Sequence, residues 1–145
     1  MQPGIEIPQK ISLAYSAVCK PLCRELELPQ TAFDILMFLG NNPAYKTARD
    51  VVELRHIKAN LVSVNVDRLV QEGYLLRQPA PGDRRKCRLV CTEKAGPVVQ
   101  QGRELQETFF RRLARGLEPE DLAAFRRCLE GFRRNLSQMT QEDAQ

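Results

Sequence analysis

Apolar residues recur at helical spacing along most of this chain. Ile11, Tyr15, Val18, Leu22 and Leu26, with Ala14 and Cys19 beside them, predict a helix over residues 9–27. Pro21 inside that pattern predicts a kink or a split, because proline removes one hydrogen bond and crowds the preceding turn. "ELPQ" reads as a junction. Phe33, Leu36, Met37 and Leu39 then predict a second helix from Gln30 to Leu39, ended by the turn residues of "GNNPAY". Thr47 is placed to cap a short helix, "ARDVVELR". After the loop "HIKAN", Val62, Val66, Leu69 and Val70 predict a longer helix from Lys58 to Glu72, stopped by Gly73.

The period then changes. "YLLRQ" and "KCRLVC" predict two strands around the turn "PAPGD", with Cys87, Leu89 and Cys91 on one face and Arg88 and Val90 on the other. Thr92 is the expected cap of a long helix reaching Arg115, with Leu105, Phe109 and Leu113 four apart; Gly96, Pro97 and Gly102 weaken its first turns. "GLEPEDL" starts a last helix, with Pro119 in the first turn and Glu120 and Asp121 at its positive end. Along it Leu122, Phe125, Leu129, Phe132 and Leu136 make a narrow apolar seam that suits packing against a partner helix, or an intramolecular helical layer.

The expected fold is therefore mainly α with a small β-hairpin: a winged helix-turn-helix flanked by N- and C-terminal dimerisation helices. The expected divisions are 1–28 for the N-terminal helix, 29–95 for the winged helix, 96–138 for the C-terminal helices and 139–145 for a frayed tail.

Composition adds little until charge is placed along the chain. The 145 residues, 43% apolar and 28% charged, suit one globular domain. No apolar run approaches the roughly 18 residues of a membrane span, and "MQPGIEIPQK" lacks a signal-peptide pattern, so a cytoplasmic protein with no membrane partner is expected. The net charge of +4 is unevenly spread: from Lys46 to Lys94 there are 11 Lys/Arg against 6 Asp/Glu, and elsewhere 11 against 12. A basic centre between neutral flanks points to a polyanion, above all nucleic acid, although a solvated basic surface has the same composition.

The two helices joined by "HIKAN" have helix-turn-helix proportions, and in such a unit the second helix offers its N-terminal residues to base edges. Lys58, Asn60, Ser63 and Val64 occupy those positions. Asparagine can pair with adenine through two hydrogen bonds, serine can donate or accept, and valine can touch a thymine methyl. Asn60 and Ser63 suit solvated surface or a helix cap equally well. Phosphate contacts would come from the surroundings: Lys46, Arg49, Arg68, Arg77 and the hairpin. A basic turn can also enter the minor groove, where the negative potential is deep.

The stretch "NLVSVNVDRLVQEGYLLRQPAPGDRRKCRLVCTEKA" resembles the winged-helix core of the MarR family of bacterial transcription regulators. "VDRLVQEGYL", the wing signature Asp-x-Arg at Asp83 and Arg85, the strand-to-helix "LVCTEKA" and the later "LEPEDLAAF" carry the likeness, which spans about Ile11 to Leu136. The resemblance implies a homodimer on double-stranded DNA with a pseudo-palindromic operator, and terminal helices that intertwine through Ile11, Tyr15, Leu122, Phe125, Leu129 and Phe132. It implies that Arg85 enters the minor groove and Asp83 orients the wing, with Arg84, Lys86 and Arg88 at phosphates. Asn60, Ser63 and Val64 fall at recognition-helix contact positions. Two departures stand out. Val64 replaces a polar or basic residue, and Asn65 stands where an apolar one is usual, which leaves open a rotated helix.

The resemblance further implies a repressor released by a small aromatic effector, for which Tyr15, Phe33, Met37 and Phe38 are the candidate lining, although aromatics at this spacing also make ordinary core. Cys19 and Cys23, four apart, raise a redox-responsive alternative. They do not match the reactive-cysteine position of the family's organic-peroxide sensors. A winged-helix adaptor for protein or RNA is the other alternative. The five cysteines include no C-x-x-C, and His56 is the only histidine, so no metal and no cofactor are expected. No Gly-rich phosphate loop, H-E-x-x-H or G-x-S-x-G occurs, so an enzyme is not expected.

Overall fold

The computed structural model describes residues 4–142. Among them are six helices and one antiparallel pair of strands: α1 (Ile7–Glu25), α2 (Gln30–Asn41), α3 (Ala48–Arg55), α4 (Ala59–Gln71), β1 (Leu75–Ala80), β2 (Asp83–Cys91), α5 (Ala95–Leu113) and α6 (Pro119–Glu142). The order is the one the hydrophobic pattern predicts. The chain divides into two compact units between Phe109 and Phe110, so the expected boundaries at 28 and 95 both fall inside the first unit. None of the described helices is long and apolar enough to cross a membrane.

The core of the first unit is built around α2, whose Ala32, Phe33, Ile35, Leu36, Met37 and Leu39 are buried. Cys19 and Cys23 of α1, Val51 of α3, Val62, Val66 and Leu69 of α4, Leu75 and Leu89 of the hairpin, and Val98 and Val99 of α5 complete it. Pro21 lies inside α1 without splitting it. The helix ends in a Schellman turn: Leu28 N–H donates to the Cys23 carbonyl at 3.0 Å and Glu27 N–H to Arg24 at 3.1 Å. Glu27 occupies the left-handed position (φ 54°) that usually takes glycine. Gly73 holds the same position after α4, with Tyr74 N–H on the Leu69 carbonyl at 2.8 Å.

Thr47 caps α3 as expected, and the cap is reciprocal. Its hydroxyl accepts from Asp50 N–H at 3.1 Å, while Asp50 Oδ2 accepts the Thr47 N–H at 3.0 Å. Thr92 does not cap α5. Its hydroxyl donates to the Gly73 carbonyl at 2.6 Å, fastening the hairpin root to the end of α4, and α5 starts at Ala95.

Gly102 is also more than a weak point in a helix. A Cβ there would strike Met37 Sδ and lie 2.7 Å from Met37 Cε, and one on Gly40 would lie 2.8 Å from both Val99 methyls. The absent side chains let α2 and α5 approach closely.

In the second unit α6 continues as helix to Glu142, past the expected fraying point at 139; residues 143–145 of the expected tail lie outside the described residues. Phe125, Leu129, Phe132, Leu136 and Met139 of α6 are all exposed.

Candidate nucleic-acid interface

The buried stripe of α4 is Val62, Asn65, Val66 and Leu69, spaced three, one and three. Asn65 is only 7% exposed. Its Nδ2 donates to the Leu61 carbonyl at 2.8 Å, so a polar side chain faces the core by bonding back to its own helix. The rotation that Asn65 leaves open in the sequence is therefore absent: the helix keeps this position inward. Asn60, Ser63, Val64 and Asp67 consequently share the outward face, and Val64 is 65% exposed. Leu61, which the sequence reading passes over, is exposed beside them. Lys58 is the N-cap residue, and no side chain caps the helix, so the positive end of its dipole lies at the Lys58–Asn60 end.

Three of the basic residues expected at phosphates have partners within the protein: Arg49 donates to Glu53 of its own helix at 2.7 Å, and Arg68 and Arg77 reach other elements. Arg68 donates from Nε to Glu72 at 2.9 Å and from Nη2 to the Glu27 carbonyl at 2.8 Å. Arg77 of β1 pairs with Asp67 of α4. These contacts join α4 to the α1–α2 junction on one side and to the hairpin on the other. The first is a hydrogen bond to a backbone carbonyl and the second a surface ion pair; each contributes little stability, on the order of 1 kcal/mol, so their effect is mainly one of orientation.

The hairpin turn is Pro81-Gly82, and Gly82 has φ +81°, as position i+2 of a type II turn requires. Pairing runs regularly from Leu75↔Cys91 to Pro79↔Cys87 and then jumps to Ala80↔Asp83. The jump leaves Arg84, Arg85 and Lys86 without a partner across the hairpin. Asp83 Oδ1 accepts the Arg85 N–H at 2.9 Å, an Asx-type turn that sets the direction of the bulge. Arg85 and Lys86 are exposed, and the side chain of Arg84 lies outside the described residues.

At the hairpin's root Leu89 is buried and its N–H donates to the Lys46 carbonyl at 2.6 Å. Cys91 is half-buried, but Cys87, expected on the same inward face, is exposed because the strand has left the core by then. Lys94 donates to the Glu72 carbonyl at 2.6 Å and lies over the Tyr74 ring.

The candidate effector residues sit in different surroundings. Phe33 and Met37 are buried at the α2–α5 crossing. Phe38 is half-buried and stacks on Tyr45, with ring centroids 6.0 Å apart. Tyr15 accepts a hydrogen bond from Gln106 at 3.0 Å and meets the edge of Phe109. An open groove of about 580 Å³ between α1 and α2 is lined by other residues, among them Ala17, Lys20, Cys23 and Arg24.

Cys19 and Cys23 are both buried, and burial raises both thiols, Cys23 to about 11. The reactive thiolate is scarce at neutral pH under those conditions, which works against the redox alternative. Asp34 is a further group that the sequence reading misses. Its Oδ1 is buried without a hydrogen-bond partner, and burial pushes its carboxyl up to about 6 despite the opposing charge of Arg55. Among the dimerisation candidates, Ile11, Tyr15 and Leu122 are half-buried, whereas Phe125, Leu129 and Phe132 are exposed.

Comparison with known proteins agrees with this geometry. Residues 26–86 match the model of the MarR family, a span that runs from the end of α1 through the bulge of β2. A MarR family transcriptional regulator from Listeria monocytogenes, solved with a 26-mer DNA, superposes with a TM-score of 0.83 at 16% identity, covering 95% of this chain and 91% of that one. The transcriptional regulator SlyA gives 0.81 at 19% identity, covering 94% and 96%. The reduced form of MarR from E. coli gives 0.72 at 17%, covering 91% and 97%. At these identities the solved structures establish a shared fold.

Proposed function

We propose that the chain, whose residues 26–86 match the model of the MarR family, is a member of that family and a sequence-specific, dimeric DNA-binding transcription regulator that acts as a repressor. The observation that carries this reading is the joint presentation of two elements. The outward face of α4 offers Asn60, Ser63 and Val64, and the bulged hairpin offers Arg85 and Lys86, with the Arg77–Asp67 pair linking them. In this reading α4 lies in the major groove and reads base edges, while Arg85 enters the neighbouring minor groove. Arg68 and Arg77 orient these parts and are not phosphate contacts.

The exposed seam of α6 supports the dimer. Phe125, Leu129, Phe132 and Leu136 form an apolar stripe at coiled-coil spacing that a second copy would cover. Two linked winged helices would then meet the two halves of an inverted repeat. Residues 29–95 carry the reading function and the terminal helices the pairing function. Release by a small effector belongs to the same proposal, but its seat is not the Phe33–Met37 pair, which the core occupies.

Selection of bound duplexes from a random pool tests the reading. An inverted repeat should be enriched, with half-sites about one helical turn apart. A pool that stays random after several rounds would contradict it.

A further inference from the structure

The outward face of α4 lacks the side chain that most often reads a base pair. Arginine or lysine on guanine is the commonest specific contact in the major groove. Arg68 is the only basic residue of α4, and its guanidinium is engaged, Nε by Glu72 and Nη2 by the Glu27 carbonyl. Lys58 stands before the first turn as the N-cap residue, and Asp67 is paired with Arg77. What the first two turns present instead is apolar. Leu61 is 45% exposed and Val64 65% exposed, three residues apart and so neighbours on the helix surface. Asn60 and Ser63 stand beside them, also exposed. Neither apolar side chain belongs to the core, which α4 enters through Val62, Val66 and Leu69.

We infer that Leu61 and Val64 together read the 5-methyl groups of two neighbouring pyrimidines in the major groove, so that binding depends on base methylation. The inference rests on the DNA-binding reading above and adds to it Leu61 and a chemical class of target. The occupant follows from what the groove displays. Its base edges carry hydrogen-bonding groups, and the one apolar substituent among them is the methyl on C5 of thymine. An apolar side chain set against a base amino or carbonyl group removes water from it and offers no bond in return. Set against a methyl, it buries apolar surface on both sides. The spacing also fits: three residues advance a helix by about 4.5 Å, near the ~3.4 Å step between stacked base pairs. Cytosine methylated at C5 carries the same methyl in the same place. A duplex with such a cytosine under α4 is therefore bound more tightly than its unmethylated form, which makes the methylation state of the DNA a regulatory input.

The test uses the full chain and one selected inverted-repeat duplex, in which each thymine of the half-site is replaced in turn by deoxyuridine, symmetrically in both halves. Burial of one methyl contributes about fourfold in affinity, so two positions should each lose about sixteenfold over the two halves together. The remaining thymines should respond little. Leu61→Ala should abolish the loss at one of these positions and Val64→Ala at the other, each leaving the second loss intact, whereas a structural defect would weaken every duplex alike. With C·G in place of T·A at a responsive position, 5-methylcytosine should recover about the same factor over cytosine in the wild type and none of it in the matching variant. If the wild type binds the repeat specifically and no thymine responds to the loss of its methyl, the inference is refuted while the DNA-binding reading stands. The same holds if both variants keep the wild-type losses. If the wild type binds every duplex alike, both fall.

Discussion

Arg68 Nη2 donates to the backbone carbonyl of Glu27 at 2.8 Å, tying α4 to the junction between α1 and α2. The carbonyl belongs to a residue already held in the left-handed conformation, so the contact clamps a chain reversal to the helix that presents Asn60 and Ser63. Arg68→Ala should lower stability by about 1 kcal/mol and weaken DNA binding, yet leave the slope of log K against log salt at its wild-type value. A urea melt and a salt titration read the two effects. A slope reduced by about one unit would mean that Arg68 leaves its intramolecular partners for a phosphate.

Asp83 supplies a second test, because charge and geometry predict opposite signs. Removing a carboxylate from a basic hairpin should strengthen binding to DNA if charge alone matters. If the carboxylate's bond to the Arg85 N–H sets the bulge, Asp83→Ala should weaken binding to the selected duplex, on the order of fivefold for about 1 kcal/mol of lost order. Arg85→Ala should weaken it further. Tighter binding by Asp83→Ala would show that the bulge needs no brace.

Asp34 should make stability depend on pH. Its carboxyl titrates at about 6 in the folded protein against 3.8 for an ordinary aspartate, so folding favours the protonated form. The stability this group contributes is full below about 4 and is lost as pH rises through 6. Asp34→Asn should therefore raise stability at pH 7 by about 1–2 kcal/mol, the value expected once partial exposure is allowed for. The gain should shrink towards pH 4. Denaturant melts of both proteins at the two pH values measure it, and an asparagine variant less stable at pH 7 would show that burial does not penalise the carboxylate.

Gly40→Ala should destabilise the first unit. The new Cβ would lie 2.8 Å from both methyls of Val99, whose branched side chain cannot swing aside. Overpacking of this kind costs about 1–3 kcal/mol, against a gain in helix propensity of about 1 kcal/mol, so a net loss is expected. Thermal denaturation would record it as a lowered midpoint. An unchanged or raised midpoint would mean that α5 shifts freely on α2.

Much of the architecture is legible from spacing alone. The periods along α2, α4 and α6, the Thr47 cap and the Pro81-Gly82 turn all lie in local patterns, and each appears in the structure. What spacing cannot carry is the destination of long or small side chains. Arg68 and Arg77 look like any exposed cation until Glu27 and Asp67 are brought beside them by the fold. Gly40 and Gly102 look like weak helix formers until the facing helix arrives. Phe33 and Met37 carry no mark that separates core from cavity wall. The same limit explains Thr92, whose hydroxyl meets a carbonyl 19 positions away in sequence. For the candidate interface, the Asp83-x-Arg85 pattern is local and readable, whereas the Lys46–Leu89 contact at the hairpin root requires the hairpin to fold back on the α2–α3 loop.

The central claim is that two copies, joined through the exposed seam of α6, read one inverted repeat. Sedimentation of the protein alone and with the selected duplex tests it most directly, with Leu129→Asp measured beside the wild type. The wild type is expected as a dimer that binds one duplex with two chains. The variant is expected as a folded monomer with binding reduced at least a hundredfold, since linkage of two readers contributes about 10²–10⁴ in affinity. A wild type that sediments as a monomer, or a monomeric variant that binds the repeat as tightly as the wild type, would contradict it.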